Sequence, residues 1–544
     1  MGAAAQMKLD LNLLSAVARG GDEAIRVIVQ TLSGTQLVGS FRPGEIVGLA
    51  GDPAVAHIST DAVVVAAQSG RFTDGETLRG SFGMKKDGRL HEGGGSFTGD
   101  KIVVAVIDSG IELSKDIDLK RVIAFFDYTQ NGTPLAVRPY DDYGHGTHVA
   151  SLIAGSGDLS HDRFQGLAKK TRLVGYKVLD SQGAGYTSHV IAAVDHAVAH
   201  RVELGIKVIN LSLGHPVMES AETDPLVRAV ERAVAAGIVV VASAGNHGTN
   251  EATGLVGYGG ITVPGNARSV ITVGAIDIND TVTRLDDTVQ PYSSRGPTWF
   301  DALPKPDVVA PGHRLVGTAA KGSTLYRDHG ELRVRAQANS ATEDYLRLSG
   351  TSMAAAVTSG VIAAGLGSYY HDNKHGQLTP NAVKAILQYT AATMLGEDVL
   401  SQGAGALNAT GALRFIRALA KTEREDWSLA ALDPSDVVNG ELLTWSQQII
   451  WGDQIIWGDQ IIWGDQIIWG DQIIWGDSVV WSNQHVWGDQ IIWGDAALGV
   501  STANGVVYGD EIQWGNVAEN QVLWLLPPAG GSSGNTILAV SLRH

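Results

Sequence analysis

Three side chains that together can perform nucleophilic catalysis occur in the order Asp108, His145 and Ser352. Asp108 ends the apolar run IVVAVID, His145 lies in DDYGHGTHVASLIAG, and Ser352 lies in SGTSMAAAVTSGVIAAGL. A serine hydroxyl becomes an effective nucleophile when an imidazole accepts its proton and a carboxylate fixes the tautomer of that imidazole. Asp, His, Ser is one of the chain orders in which this arrangement occurs. We therefore predict a serine nucleophile with His145 as base and Asp108 as orienting carboxylate.

A fourth residue supplies what these three lack, a donor for a developing oxyanion. Asn246 follows the apolar run in VVVASAGNHG, so its side-chain amide can donate from the end of a strand. The second predicted donor is the backbone N–H of Ser352, at the start of a helix. Losing one such side-chain donor costs about 10²–10³ in rate, so we predict a catalytic role for Asn246.

The elements that must position these residues alternate along the chain. Apolar runs rich in Val and Ile, such as KIVVAVID, TRLVGYKVLD, IKVINLSLG and GIVVVASAG, are typical of strands buried on both faces of a parallel sheet. Between two of them lies a helix with Asp224 as N-cap, Pro225 in the first turn and Gly237 as its stop. The pattern predicts an α/β domain with a doubly wound, mostly parallel sheet, whose active residues gather at the carboxyl ends of strands.

The composition excludes several classes of function. A formal net charge of −17 argues against a nucleic-acid partner, because phosphate binding needs clustered Lys and Arg. The chain has no cysteine, which excludes disulfides, thiolate zinc sites and a cysteine nucleophile. No stretch of eighteen or more apolar residues predicts a transmembrane helix, and the N-terminal residues do not have the pattern of a signal peptide.

Over residues of about 100–420, the motifs closely resemble those of subtilisin-like serine proteases, the subtilases. The resemblance lies in VIDSGI, HGTHVA, SAGN and GTSMA, supported by NLSLG at 210–214 and GAGALNATGAL at 403–413. It implies a serine endopeptidase that needs no cofactor for its chemistry and acts on proteins or peptides outside the cell or at its surface. It also implies two substrate-binding walls beside an extended peptide, formed by Ser212, Leu213 and Gly214 and by Ala244 and Gly245.

The segments before this region complete a self-inhibited precursor in the same resemblance. Residues 1–67 resemble the inhibitory propeptide of the family, which would act as an intramolecular inhibitor until cleaved between 67 and 100. The Gly-rich stretch 68–99 is predicted to be a linker.

Other polar residues near the motifs have less specific interpretations. Asp118 resembles a calcium-ligating aspartate of the family, so structural calcium is a second expectation. Asp141 and Asp142 are predicted to form a solvated acidic loop, with a metal or substrate contact as the alternative. His148 shares a helical face with His145 and is predicted to pack structurally.

A hexapeptide repeat, WGDQII, dominates residues 434–525, before a Gly/Ser-containing tail at 526–544. Tryptophan recurs every sixth residue from Trp445 to Trp493, and a period of six keeps strand faces aligned but spreads residues around a helix. The repeat is therefore predicted to be β structure, either a meander with Gly-Asp turns or a β-solenoid. Its aromatic rows suit a surface, glycan or protein partner.

Two other functions fit parts of the chain. An adhesion or binding protein would use the aromatic repeat on an inactive scaffold, although a complete set of four catalytic residues argues against this. A transpeptidase that forms amide bonds on the same scaffold shares the motif and stays open.

Overall fold

The computed structural model describes residues 3–61 apart from 34, residues 63–64, residues 72–421 apart from 92–95, 131, 250–254, 338 and 373–377, residues 432–451, and short strands between 454 and 541. Most of the predicted repeat, including residues 457–499, lies outside the described residues.

The N-terminal segment forms a small α+β module with its own core. Its elements are α1 (Ala3–Gln6), α2 (Leu11–Arg19), β1 (Ile25–Thr31), β2 (Gln36–Phe41), α3 (Pro43–Ala50), β3 (Val55–Thr60) and β4 (Val63–Val64). β1 lies between β2 and β3 in an antiparallel sheet. Apolar side chains from the sheet and from α2 and α3, among them Leu13, Val27 and Ile46, form a core separate from that of the rest of the chain. This architecture agrees with the predicted α+β module.

The predicted linker is instead part of the main body. Helix α4 (Gly75–Ser81) lies within the predicted linker. Apolar side chains of this helix and of the residues after it are buried in the same core as the central sheet; they are Leu78, Phe82, Met84, Leu90 and Phe97. The apolar residues, spaced among the glycines, are what hold residues 72–91 and 96–99 against the body. The linker assignment is therefore corrected for this part of the chain.

The central sheet has the predicted doubly wound, mostly parallel form. Its strands are β5 (Val103–Asp108), β6 (Val122–Asp127), β7 (Leu135–Ala136), β8 (Arg172–Lys177), β10 (Ile206–Leu211), β11 (Val239–Ser243), β12 (Ile271–Asp277), β13 (Thr288–Val289) and β14 (Val308–Pro311), and β9 (Gly185–Tyr186) pairs with β4 outside it. The order is β13-β12-β11-β10-β5-β8-β6-β7, with β14 beside β12 and with antiparallel pairs only at β13 and β7. Along β5, alternate side chains enter two different cores, so both faces are buried.

Helices cover both faces of this sheet. The helices of the body are α5 (His145–Ala154), α6 (Thr187–Ala199), α7 (Pro225–Ala235), α8 (Thr324–Asp328), α9 (Thr351–Asp372), α10 (Pro380–Thr390), α11 (Val399–Gln402) and α12 (Ala409–Leu419). Of these, α5, α6, α7, α9 and α10 lie against strands of the sheet. Asp224 caps α7 as predicted, accepting from the backbone N–H groups of Leu226 and Val227. Short 3-10 turns lie at Asp158–Ser160 and Gly330–Leu332, and β15 (Leu315–Thr318), β16 (Arg333–Val334) and β17 (Tyr345–Leu348) form a small antiparallel sheet.

Helix α9 is the central apolar helix of the fold. In the described part of the chain it alone has the length and composition of a membrane-spanning helix, and its apolar window is wholly buried within the protein. It is therefore the helix of a core, with packed side chains all around it.

The first tryptophan of the hexapeptide register packs into the main body. β18 (Ser435–Val438) and β19 (Glu441–Thr444) form a hairpin, and Trp445 after it is buried against the rings of Tyr389 and Phe415, with centroids 5.9 and 6.1 Å away. The main body thus extends beyond the predicted boundary at 420, to about residue 447.

The repeat itself is described only in short pieces. β20 (Ile449–Trp451) and β21 (Gln454–Ile456) pair antiparallel, with Trp451 opposite Gln454, as in the meander with two-residue turns. The remaining strands are β22 (Val500–Thr502) paired with β23 (Gly505–Val507), and β24 (Gln521–Leu523) paired with β25 (Ala539–Ser541) in the predicted tail. The choice between meander and solenoid falls on residues outside the described ones and stays a prediction.

Candidate active site

The predicted acid and base meet where β5 ends and α5 begins. Asp108 is the last residue of β5 and His145 the first of α5, and both are fully buried. His145 Nδ1 and Asp108 Oδ1 lie 2.7 Å apart, and the backbone N–H of Ser109 donates to the same oxygen at 2.7 Å. This pairing places the proton of the imidazole on Nδ1 and leaves Nε2 as the acceptor.

Glycine allows the two elements to approach this closely. A Cβ on Gly146 would lie 2.2 Å from the carbonyl oxygen of Gly110 and 3.1 Å from Cβ of Asp108. Gly144, the N-cap of α5, has a φ of 105°, in the left-handed region that favours glycine. The Gly-His-Gly sequence is therefore required by the packing of α5 onto the end of β5.

Two opposing effects set the basicity of His145. Complete burial lowers the pKa of the imidazole, because it disfavours the charged form. The charge and hydrogen bond of Asp108, together with the charge of Asp141, outweigh burial, so the pKa of His145 is raised above its ordinary value. Nε2 of His145 is buried and has no hydrogen-bond partner among the described residues, so it is available to accept a proton.

Ser352 lies in the first turn of α9, which packs against α5. Its hydroxyl donates to the carbonyl oxygen of Ser212 at 2.9 Å, and the hydroxyl of Ser212 donates back to the carbonyl oxygen of Ser352 at 2.9 Å. In this structure the hydroxyl of Ser352 is hydrogen-bonded to Ser212 and not to Nε2 of His145.

Asn246 is oriented by the residue before Ser352. Its Oδ1 accepts from the backbone N–H of Thr351 at 3.0 Å and from the Thr351 hydroxyl at 3.2 Å. The amide nitrogen is thus the end of the side chain left to donate, as the predicted oxyanion role requires. Sequence reasoning named Asn246 but not Thr351, which fixes its orientation.

The two predicted substrate walls flank the start of α9. Ser212 contacts Ser352 as described, and the backbone N–H of Gly245 donates to the Thr351 hydroxyl at 3.2 Å. Of the five predicted wall residues, Gly214 is partly exposed, whereas Ser212, Leu213, Ala244 and Gly245 are buried. Both segments therefore lie beside the predicted nucleophile, with exposed surface only at Gly214.

The prediction that Asp141 lies in a solvated acidic loop is wrong. This residue is only 3% exposed, and its carboxylate accepts from backbone N–H groups at the start of α5. Asp142 is partly exposed and pairs with the buried ammonium of Lys177 at 2.6 Å. A carboxylate shortly before the start of a helix, as in the pattern D-x-x-G-H, indicates a capping role, and this is the signal by which the sequence could have predicted the burial of Asp141.

His148 has the structural role predicted for it. It is fully buried, its Nε2 lies 3.1 Å from the carbonyl oxygen of Leu315, and burial lowers its pKa to about 3. It is thus neutral at ordinary pH and unsuited to act as a base.

Asp118 is exposed and forms a local turn. Its Oδ1 accepts from the backbone N–H groups of Lys120 and Arg121. Within the described ranges no group of three or more His, Asp or Glu side chains could hold a metal ion, so nothing around Asp118 supports the calcium expectation.

Comparison with known proteins gives consistent matches over this body. The Subtilase family model matches residues 99–412. Serine protease AprX of Bacillus subtilis is 37% identical over 321 residues, covering 58% of this chain and 67% of that protein. Subtilisin E of Bacillus subtilis is 31% identical over 364 residues (66% and 76%), and a subtilisin of Bacillus pumilus is 33% identical over 325 residues (59% and 94%).

Proposed function

Because the chain belongs to the subtilase family and is a subtilisin-like serine endopeptidase, we propose that Ser352, His145 and Asp108 are its catalytic triad. One observation carries this assignment. The imidazole of His145 is buried, is held by Asp108 at 2.7 Å and has an unpartnered Nε2 among the described residues, and its helix α5 packs against α9, which carries Ser352. The chemistry needs no cofactor.

The reaction follows from these positions. When a peptide carbonyl reaches Ser352, the hydroxyl leaves Ser212, gives its proton to His145 Nε2, and its oxygen attacks the carbonyl carbon. Asp108 stabilises the imidazolium, and the oxyanion accepts from the Asn246 amide and the Ser352 backbone N–H. His145 then protonates the leaving amine, and water hydrolyses the acyl-enzyme through the same base.

Protein or peptide substrates would pair in extended form with the backbone edge at 212–214, and 244–245 would form the opposite wall. An extracellular or cell-surface location is part of the proposal and rests on family membership. Structural calcium is not part of the proposal, because Oδ1 of Asp118 accepts two backbone N–H groups in a local turn and, among the described residues, no group of three or more acidic or histidine side chains could hold a metal ion.

We further propose that the N-terminal module is an inhibitory prosegment cleaved between Val64 and Phe72. The module has its own core, and β4 at its end pairs antiparallel with β9, adding a strand as an extended peptide would. Downstream, Thr73 pairs with Leu315 of the main body and Leu78 enters its core, so cleavage later than this would cut a packed segment. These contacts support a cleavage site that is earlier and narrower than the interval of 67–100 inferred from the sequence.

A fluorophosphonate probe, which reacts with activated serines, tests the triad directly. The self-processed wild-type protein should be labelled at Ser352, and Ser352→Ala should not be labelled. Ser368→Ala, on the same helix but sixteen residues away, is the matched control and should label as wild type. Absence of labelling in processed wild type, or equal labelling of Ser352→Ala, would contradict the assignment.

A further inference from the structure

The acid and base of the proposed triad come from separate elements, so something must hold the end of β5 and the start of α5 in register. The buried carboxylate of Asp141 lies between them. Its Oδ1 accepts from the Ser109 hydroxyl at 2.9 Å and from the backbone N–H groups of Gly144 at 2.7 Å and Tyr143 at 3.2 Å. Its Oδ2 accepts from the N–H and hydroxyl of Thr147 at 2.8 and 2.6 Å.

Ser109 completes the connection to the carboxylate of the proposed triad. Its backbone N–H donates to Asp108 Oδ1, the oxygen that binds His145. Its hydroxyl donates to Asp141 and accepts from the backbone N–H of Gly146 at 2.9 Å. One hydrogen-bonded chain therefore runs from Asp108 through Ser109 to both residues that flank His145.

Asp141 also brings a charge that no cation neutralises by direct contact. Within the described part of the chain, no Lys, Arg or His nitrogen forms an ion pair with it, and the nearby ammonium of Lys177 binds Asp142 and the carbonyl oxygens of Ser109 and Leu179. The donors at the start of α5 stabilise the carboxylate, as expected at the positive end of a helix. Its charge contributes to the raised pKa of His145.

We propose that Asp141 is a positioning residue for the reaction, which joins β5 to α5 and adds a second negative charge near the imidazole of His145. This inference rests on the proposed triad. Asp141 contacts neither the imidazole nor the nucleophile; it acts through Ser109 and the backbone on either side of His145. Its charge favours the imidazolium that forms when Ser352 is deprotonated.

Asp141→Asn in the full-length, self-processed enzyme is the decisive variant. Asparagine has the same shape, but its amide nitrogen cannot accept, so one set of donors loses its acceptor and the charge disappears. We expect kcat to fall roughly tenfold with KM little changed, because an interaction made in the transition state is lost. The acid limb of kcat/KM, which reports the free His145, should move to lower pH by roughly half a unit.

Ser109→Ala separates the two roles and serves if Asp141→Asn does not fold. It cuts the link but keeps the charge, so kcat should fall while the acid limb stays within about 0.2 pH units of wild type. The proposal would be overturned if Asp141→Asn had the wild-type kcat and the wild-type acid limb in its pH profile of kcat/KM. It would also be overturned if Ser109→Ala had the wild-type kcat. Failure of the triad itself looks different, because wild type would then show no hydrolysis that depends on Ser352.

Discussion

The N-terminal module and the C-terminal hairpin both pack on the same main body, but by different kinds of contact. The module has a core of its own and meets the body largely through polar groups, with Ile28 as a buried apolar exception. Asp61 accepts from the N–H and hydroxyl of Ser188 at the start of α6, and Gln30 bonds to Thr223 and Arg228. The hairpin has no separate core and instead places Trp445 in the core of the body.

This difference indicates which segment can leave. When a module with its own core separates, mainly polar groups become exposed. Water replaces their hydrogen bonds, so separation costs little free energy. Removing Trp445 would open a cavity between Tyr389 and Phe415 and leave the buried carboxylate of Asp436 without the indole N–H that donates to it at 2.6 Å. The first segment is suited to a removable inhibitor and the second to a permanent part of the enzyme.

The largest expected effect is at the hairpin. Trp445→Ala should lower the free energy of unfolding of the processed enzyme by about 3–5 kcal/mol, because a large buried ring is deleted. Urea unfolding of the processed enzyme measures this. Leu442→Ala, at a 68% exposed position in the same hairpin, should change it by less than about 0.5 kcal/mol. A loss below about 1 kcal/mol in Trp445→Ala would place the hairpin outside the cooperative body.

A smaller effect is expected at the module, as a dependence of its retention on pH. Four ionisable side chains are buried near the junction: Asp10 and His57 of the module, and Glu219 and Asp224 of the main body. His57 pairs with Glu219 across the junction. Burial, reinforced by the charge of Glu219, raises the pKa of Asp10 to about 6 and of Asp224 to about 8. Carboxyl groups with pKa values raised in the complex are protonated there at low pH, so the complex is favoured at low pH.

Between the ordinary pKa range of carboxyl groups and about pH 8, Asp10 and Asp224 ionise more readily in the separated module and enzyme than in the complex. Retention of the module therefore weakens as the pH rises through this range. One proton taken up on docking changes the affinity by up to about tenfold per pH unit. Gel filtration of self-cleaved enzyme should find the module retained at pH 5.5 and released at pH 8.5. Asp224→Asn, which keeps a capping side chain without the charge, should flatten this dependence; equal retention of wild type at both pH values is the opposing result.

Motif residues were the most predictable part of the molecule. Asp108, His145 and Ser352 lie at element ends that local patterns identify, and the sheet follows from its apolar runs. Residues whose role depends on distant partners were not predictable. Trp445 shares the register of the repeat in the sequence, and its burial against Tyr389 and Phe415 depends on residues that are distant along the chain. Asp141 is acidic in sequence but buried, because Ser109 and Thr147 meet it after folding.

The central claim is that cleavage by Ser352 releases the N-terminal module, while the C-terminal hairpin stays part of the enzyme. Self-cleavage followed by intact-mass spectrometry tests this claim most directly. Purified wild-type protein should be cut between Val64 and Phe72, with the fragment that carries Ser352 still containing Trp445. Ser352→Ala should stay uncut under the same conditions. A cut in Ser352→Ala at the wild-type rate, or an active wild-type fragment that lacks Trp445, would contradict the account.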